Sequence, residues 1–178
     1  MYEQLPNQIL TYTGDYKISL IKEIVTNPQI VNSLRSDNEK YISMQKPYSY
    51  MLQKEIEWVE AGGKLTPFMR SFIDNHISEL LDGTRITQSE NFGEIIFGEL
   101  ILTNSFGANT AITTKTDNFD QGIEEWWQIT EQHGLYVKSC EWDDSAEMWS
   151  EDISIRIDDN GEILGVMNVA TPCDVLEK

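Results

Sequence analysis

The stretch that decides the fold runs Phe106-Gly-Ala-Asn-Thr-Ala-Ile-Thr-Thr-Lys-Thr-Asp-Asn-Phe-Asp-Gln-Gly-Ile-Glu-Glu-Trp-Trp-Gln128. It begins in a tight turn, continues as a strand-like run, crosses a polar loop and enters a helix at two adjacent tryptophans. Most segments before it have helical spacing, and those after it have strand spacing. We therefore expect this stretch to form one wall of a pocket that the sheet completes.

The amino-terminal half carries the spacing of amphipathic helices. Apolar residues recur every three or four positions from residue 9 to about 34, and Pro28 is expected to interrupt that run. Ser36-Asp37 is predicted to cap a second helix from Asn38 to about Glu60. Pro47 is placed to split this second helix.

A third helix is predicted from the pair Thr66-Pro67, a cap followed by a proline at the first helical position. We expect Gly83 to end it. Its buried stripe is predicted to consist of Phe68, Phe72, Ile73, Ile77, Leu80 and Leu81.

After Gly83 the sequence predicts five strands. They are Glu94–Thr103, Ala108–Lys115, Leu135–Trp142, Ser150–Asp158 and Glu162–Thr171. The first and the last are apolar on both faces, so we expect them side by side at the centre of one antiparallel sheet. Asp159-Asn160-Gly161 predicts a hairpin between the last two. The implied strand order is 2-1-5-4-3, and the class is α+β.

Length and charge narrow the kind of protein. The 178 residues fit a single domain, 1–178, with a helical part over 1–83 and a sheet part over 84–178. There are 13 basic and 30 acidic residues, a net charge of −17. Nucleic acids and anionic membrane surfaces are therefore poor partners, since both require basic surface.

The sequence lacks the signatures of a metal site or a catalytic centre. His76 and His133 have no partners at ligand spacing, and we expect neither a metal, a cofactor nor an enzyme activity. An acidic group formed by Asp117, Asp120, Glu124 and Glu125 lacks the spacing of a calcium loop. Cys140 and Cys173 leave two interpretations open: a disulfide, if strands bring them together, and two buried free thiols, which we expect.

Several motifs, in order along the chain, are similar to those of a known family. They are Gly93-Glu-Ile-Ile-Phe97, Leu102-Thr-Asn-Ser-Phe-Gly-Ala-Asn-Thr-Ala111, Thr114-Lys-Thr-Asp117, Gln121, Glu124-Glu-Trp-Trp127, Glu141-Trp-Asp-Asp-Ser-Ala146, Ile153-Ser-Ile-Arg-Ile-Asp158 and Asn160-Gly-Glu-Ile-Leu-Gly-Val166. On these residues the chain resembles the extracytoplasmic Cache (PDC) family, the PAS-like sensor domains of histidine kinases and chemoreceptors.

The resemblance implies a PAS-like sheet with a long helical layer on one face. It also implies a periplasmic or extracellular input domain that binds a small organic molecule, tethered by flanking membrane spans absent from this sequence. A homodimer through the first helix is the expected assembly. One alternative is a ligand-free structural or dimerisation module of the same fold, and a weaker one is a cytosolic PAS-like enzyme or cofactor domain.

Six residues are predicted to contact the ligand. Trp126, Trp127 and Phe119 are expected to supply apolar wall and indole donors, with core packing as the alternative. Arg156 shares a strand face with Ser154, opposite three isoleucines, and could bind a carboxylate or simply pair with surface acids. The resemblance adds Asp143 and Ser145, whose alternative is ordinary turn chemistry.

Two departures from the family pattern bear on the ligand. Amino-acid-sensing members carry an arginine where this chain has Glu124, two residues before Trp126. They also carry an acid after the last strand's Gly-Val, where this chain reads Met167-Asn-Val-Ala170. Both differences argue against a free amino acid bound in the family's usual way.

Overall fold

The computed structural model describes residues 16–143 and 148–173 of the chain. Its helices are α1 over 16–25, α2 Pro28–Ser43, α3 Pro47–Glu60, α4 Pro67–Ile73 and α5 His76–Phe92. Prolines open α2, α3 and α4, where the missing N–H has no helical partner to lose. The predicted breaks at Pro28 and Pro47 are thus confirmed, while residues 9–15 of the first predicted helix lie outside the described part.

The predicted cap at Ser36-Asp37 is wrong, because α2 runs through both residues. The Asp37 carboxylate instead accepts hydrogen bonds from Asn104 Nδ2 (2.8 Å) and Thr110 Oγ1 (3.0 Å). Tertiary partners therefore hold this side chain, and it is not available to a local cap.

The predicted helix end at Gly83 is also wrong. Gly83 lies inside α5, which ends at Phe92 with Gly93 in the left-handed conformation (φ 72°). A glycine inside a helix costs only about 1 kcal/mol relative to alanine, which the rest of the helix offsets. The break falls earlier, where Asn75 caps α5 by accepting from Ile77 N (3.0 Å) and Ser78 N (2.9 Å).

The sheet is antiparallel and six-stranded, which confirms the predicted α+β class. Its strands are β1 Leu100–Asn104, β2 Asn109–Ile112, β3 Leu135–Val137, β4 Glu141–Asp143, β5 Met148–Asp159 and β6 Glu162–Pro172. The order is β2-β1-β6-β5-β3, and β4 also pairs with β5. The order agrees with the prediction, but the third predicted strand is split into β3 and β4, and the first begins at Leu100 and not at the predicted Glu94.

The centre of the sheet is closely packed, and its hairpin is the predicted one. Asn160 (φ 53°) and Gly161 (φ 82°) form the turn between β5 and β6. At Gly165 of β6, a Cβ atom would lie 2.0 Å from the carbonyl oxygen of Thr103 in β1. Only glycine allows the two central strands to approach this closely.

Two apolar clusters form the core. The larger packs α1, α2 and α5 against one face of the sheet, where Ile153, Ile155 and Ile157 of β5 are buried. The smaller lies where α3 and α4 cover β1, β2 and the loop after β2. Its buried members are Tyr41, Met51, Trp58, Met69, Ile101, Ala108, Ile112 and Phe119.

Cys140 and Cys173 form a disulfide, so the expectation of two free thiols is wrong. Ser150 of β5 pairs with both Glu141 and Pro172, which brings the two cysteines together with their Cα atoms 5.9 Å apart. That spacing lies within the range that a disulfide spans. Across residues 16–143 and 148–173, no helix combines the length and apolar character needed to cross a membrane.

Candidate functional site

The stretch 106–128 folds back on itself over one face of the sheet. Gln121 N donates to Gly107 O (2.8 Å), and Asn109 N donates to Phe119 O (3.1 Å). Gly107 has φ 87°, and a Cβ there would lie 2.5 Å from Gly122 Cα. The two ends of the loop therefore meet at a pair of glycines, of which Gly107 could not be replaced by a larger residue without displacing the backbone.

One carboxylate on α3 holds the loop from outside. Glu55 Oε2 accepts from the backbone N–H groups of Phe119 (2.7 Å) and Asp120 (2.9 Å). The Phe119 ring is fully buried and lies 5.8 Å from the Trp58 ring, centroid to centroid. Phe119 thus lies in the core beneath the loop, among the rings of Trp58, Phe68 and Phe72.

Asp120 links this loop to the short 3-10 helix Gln121–Ile123. Its Oδ1 accepts from Gly122 N at 3.0 Å. Burial raises the pKa of the Asp120 carboxyl, the Gly122 N–H lowers it, and the negative charge of Glu55 raises it further. The net direction is upward, so the loop holds an acid that is costly to ionise.

A cavity of about 260 Å³ lies between this loop, helix α6 (Glu125–His133) and the sheet. It is lined by Glu99, Ile101, Thr116, Asp117, Asn118, Gln121, Glu124, Trp126, Asp152, Asn168 and Ala170. The sheet contributes Ile101 from β1, Asp152 from β5 and two residues from β6. A second cavity, of about 480 Å³, shares Glu99, Thr116, Asp117 and Ala170 and extends toward Arg85 and Lys115.

The smaller cavity is strongly acidic. Four of its lining residues, Glu99, Asp117, Glu124 and Asp152, are carboxylates, and none of the described lining residues is lysine or arginine. Glu124 accepts from Asn118 Nδ2 at 2.6 Å. Within residues 16–143 and 148–173 no group of His, Cys, Asp or Glu is arranged to hold a metal ion.

Asn168 is the most deeply buried amide that faces both the sheet and the cavity. It is 6% exposed, and its Oδ1 accepts from Ser154 Oγ at 3.3 Å. No protein group in the described part of the chain accepts from its Nδ2. Nearby, Asn109 donates to Thr116 Oγ1 (2.9 Å), and its own Oδ1 is buried without a partner. Buried polar atoms are normally paired, so the Asn109 oxygen requires an explanation.

The two tryptophans of α6 have different surroundings. Trp126 is half-buried and lines the smaller cavity. Trp127 Nε1 donates to Thr103 Oγ1 (2.9 Å), and Thr103 in turn donates to Val166 O (3.0 Å). The Trp127 donor is therefore already used within the protein, whereas the Trp126 ring forms part of the cavity wall.

Arg156 lies away from these two cavities and lines a third, of about 680 Å³, together with residues of α1, α2 and β5. Its Nη1 donates to the carbonyl of Glu131 near the end of α6 (2.7 Å), and its Nε bonds both carboxylate oxygens of Asp158 at 3.0 Å. Asp143 has its backbone in β4, but its side chain falls outside what the structure describes. Ser145 lies wholly outside the described residues.

Sequence analysis missed Asn168, Asn109 and Glu55. Asn168 carries a recognisable signal, because it is the one polar side chain between Ile163 and Ala170 of an otherwise apolar strand. Asn109 follows the turn and resembles an ordinary turn residue. Glu55 acts across 64 residues of sequence, and nothing in its local pattern indicates its partners.

No family model matches the chain. No curated protein matches it either. Comparison with solved structures finds sensory and ligand-binding domains of bacterial chemoreceptors. The sensory domain of Campylobacter jejuni Tlp3, with isoleucine bound, is 18% identical with a TM-score of 0.40, covering 88% of this chain and 62% of that one.

Two further structures come from Pseudomonas. The ligand-binding domain of the P. aeruginosa amino-acid chemoreceptor PctC, in complex with GABA, is 12% identical with a TM-score of 0.44, covering 83% of this chain and 60% of that one. That of P. fluorescens CtaA, in complex with L-serine, is 16% identical with a TM-score of 0.36, covering 81% and 60%. The chain spans about three-fifths of the length of these solved domains.

Proposed function

We propose that this chain is the ligand-sensing input domain, of Cache type, of a membrane-spanning signalling receptor. The observation that carries the proposal is the cavity of about 260 Å³ bounded by the sheet, the loop and Trp126. A concave space with an aromatic wall and a few convergent polar groups is typical of small-molecule sites. The domain binds a small organic molecule and performs no chemistry on it.

In this proposal the domain lies outside the cytoplasm, as part of a histidine kinase or, as the second choice, a chemoreceptor. The disulfide between Cys140 and Cys173 supports that location, because such bonds persist in oxidising compartments. The receptor is tethered by flanking membrane spans and forms a homodimer through its first helix. Of the six residues predicted to contact the ligand, Trp126 is the one that we place in the cavity wall.

The route from the site to the first helix passes through Lys17. Ala170 of β6 lines both cavities, and two residues later the Pro172 carbonyl accepts from Lys17 Nζ at 2.6 Å. The same buried amine lies 3.3 Å from Glu151 Oε1 on β5. A ligand that binds one position of β6 better than another will therefore bias α1 through this amine.

The test begins with native mass spectrometry of the purified protein, to identify any co-purifying molecule, followed by thermal-shift screening with acids, amines and sugars. A ligand at about 100 times its Kd should raise the melting temperature by roughly 5 °C. Trp126→Leu should abolish the shift. Trp142→Leu is the matched control, because this tryptophan is exposed and lines neither cavity.

The opposite outcome is equally informative. If nothing co-purifies and no compound of any class shifts the melting temperature, the chain is a ligand-free structural module of the same fold. A shift that survives Trp126→Leu would move the binding site elsewhere in the molecule.

A further inference from the structure

We infer that the ligand of the smaller cavity is a small organic cation, an amine that carries no carboxylate group. This inference rests on the proposed function and specifies its ligand. It differs from the carboxylate that Arg156 suggested in the sequence, and it follows from what the fold places around the cavity.

The charge of the cavity wall favours a cationic ligand. The wall carries the carboxylates of Glu99, Asp117, Glu124 and Asp152, with no lysine or arginine among the described lining residues. A carboxylate ligand would lose its hydration and lie among four like-charged side chains, with only neutral donors such as Asn118 and Gln121 to offset the repulsion. An ammonium group would gain charge-assisted hydrogen bonds to the same oxygens.

The amide nitrogen of Asn168 also favours a polar ligand, since no acceptor for it is found in the described part of the chain. This side chain is buried at 6% exposure, lines the cavity, and uses only one of its two polar atoms on a protein partner. Because the Ser154 hydroxyl can donate or accept, the amide can turn its oxygen into the cavity and donate its NH₂ to Ser154. A polar ligand would thus complete a hydrogen-bonding group that the protein leaves incomplete.

The nearby basic side chains already have partners within the protein, so they do not offset the acidic wall. Arg156 is paired with Asp158 and the Glu131 carbonyl. In the adjoining cavity Arg85 bonds Asp82 through Nε and Nη2 at 2.9 and 2.7 Å. Lys115 Nζ lies 5.7 Å from the centroid of the Trp58 ring.

The cavity wall suits an organic cation better than a metal ion. The carboxylates are spread around the wall, and the described residues contain no group spaced to coordinate one ion. Trp126 completes the wall with an indole face, the aromatic surface that cations bind best. An indole provides no ligand atom for a metal ion, whereas its face can contact both the charge and the alkyl groups of an alkylammonium ion.

The test measures binding of charge-matched probes to the purified chain by isothermal titration calorimetry. One pair is choline and 3,3-dimethyl-1-butanol, which have nearly the same shape and differ in the positive charge. The other is cadaverine and glutarate, five-carbon chains with opposite charges at their ends. We expect the cation of at least one pair to bind at least about 10-fold more tightly than its partner. Cadaverine would gain charge-assisted hydrogen bonds through its ammonium groups, whereas choline, which has no N–H, would gain Coulomb and cation–π attraction.

Substitutions in the cavity wall test whether the cation binds there. Asp117→Asn combined with Asp152→Asn should weaken cation binding by about 10-fold or more and leave the chain folded, since both changes preserve shape. Glu60→Gln makes the same kind of charge change at an exposed acid that lines neither cavity, and it should bind like the wild type. Circular dichroism on each variant confirms that the fold is retained.

The remaining outcomes distinguish failure of the cation inference from failure of the proposed sensor function. If glutarate or the neutral alcohol binds as well as its cationic partner and Trp126→Leu abolishes that binding, the cation inference fails and the proposed sensor function stands. If cations bind but the double variant binds them equally well, the acidic wall is not their site and the inference fails. If no probe of any charge binds, the inference fails, and the proposed function fails with it only if nothing co-purifies and no compound in the thermal-shift screen binds.

Discussion

The two faces of the sheet are both buried, but they are built from different chemistry. On the helical face Ile153, Ile155 and Ile157 of β5 are at most 5% exposed and belong to the larger apolar cluster. On the opposite face Ser154 and Thr103 are 0% exposed, and each uses its hydroxyl on a defined partner. One strand thus contributes to a dry core and to a polar site by simple alternation.

This difference assigns stability to one face and recognition to the other. Apolar packing tolerates no gaps, and its contribution scales with the area removed from water. A buried polar face must satisfy each donor and acceptor, and the cavity lies where the protein leaves some of them open. The four changes below test this division, from the largest expected effect to the smallest.

Removal of the disulfide is expected to have the largest effect on stability, and the other changes are compared with it. Its loop spans 33 residues, so the chain-entropy relation predicts that replacing both cysteines with serine lowers the free energy of unfolding by about 3.5 kcal/mol. Urea denaturation of the variant and of the wild type, each with and without reductant, measures this loss. An unchanged midpoint on reduction of the wild type would show that the bond adds nothing in solution.

Neighbouring residues of β1 compare the faces directly. Leu102 is fully buried in the larger cluster, whereas Ile101 lines the smaller cavity. Leu102→Ala should lower the free energy of unfolding by about 3 kcal/mol through lost burial and a new void. Ile101→Ala should cost clearly less, because its truncated side chain opens onto existing space. Equal losses in urea denaturation would mean that the two faces are packed alike.

The polar face should respond to the loss of a single atom. Thr103→Val keeps the shape of the side chain but removes the acceptor for Trp127 Nε1, leaving a buried indole N–H unpaired. We expect a loss of about 1–2 kcal/mol in chemical denaturation. Trp127→Phe in the same background is the control, since it removes the orphaned donor. If the two changes simply add, the Thr103–Trp127 hydrogen bond contributes nothing of its own.

The smallest effect is expected in the loop, at Asp120. Burial raises the pKa of this carboxyl in the folded chain, so the folded state holds the proton more tightly than the unfolded state does. Ionisation therefore lowers stability as the pH rises from about 4, the unfolded value, through the raised folded value. Asp120→Asn keeps the bond from Gly122 N and should stabilise the protein at pH 7 by less than about 1 kcal/mol, since water screens a part-exposed group. That gain should vanish near pH 3.5, and a gain that persists there would have another cause.

Local signals predicted much of the fold. Pro28, Pro47 and the pair Thr66-Pro67 mark helix starts because a proline nitrogen has no hydrogen to donate. Asp159-Asn160-Gly161 marks the hairpin because its turn needs positive φ. The first and the last predicted strands are apolar on both faces, and this correctly predicted that they pair at the centre of the sheet. Each of these inferences depends on chemistry within a few residues.

The predictions that failed concern side chains whose partners lie far away in the sequence. Asp37 binds Asn104 and Thr110 instead of capping a helix, and the cysteines meet only because β5 pairs on both sides. Alternation correctly put Ile155 on the helical face, but it could not show that Asp158 and the Glu131 carbonyl already hold Arg156. The acidity of the cavity likewise comes from three separate segments, at Glu99, Asp117–Glu124 and Asp152, that no single window of sequence contains.

The carboxylate of Glu55 has a consequence for how the site can open. A single oxygen accepts the amide hydrogens of both Phe119 and Asp120, while the Phe119 ring is buried beneath them. In hydrogen exchange these two amides should behave like those of a strand, although they lie in a loop. This part of the loop is therefore not a loose flap hinged at its ends. Any movement of it either carries α3 along or breaks both hydrogen bonds to Glu55.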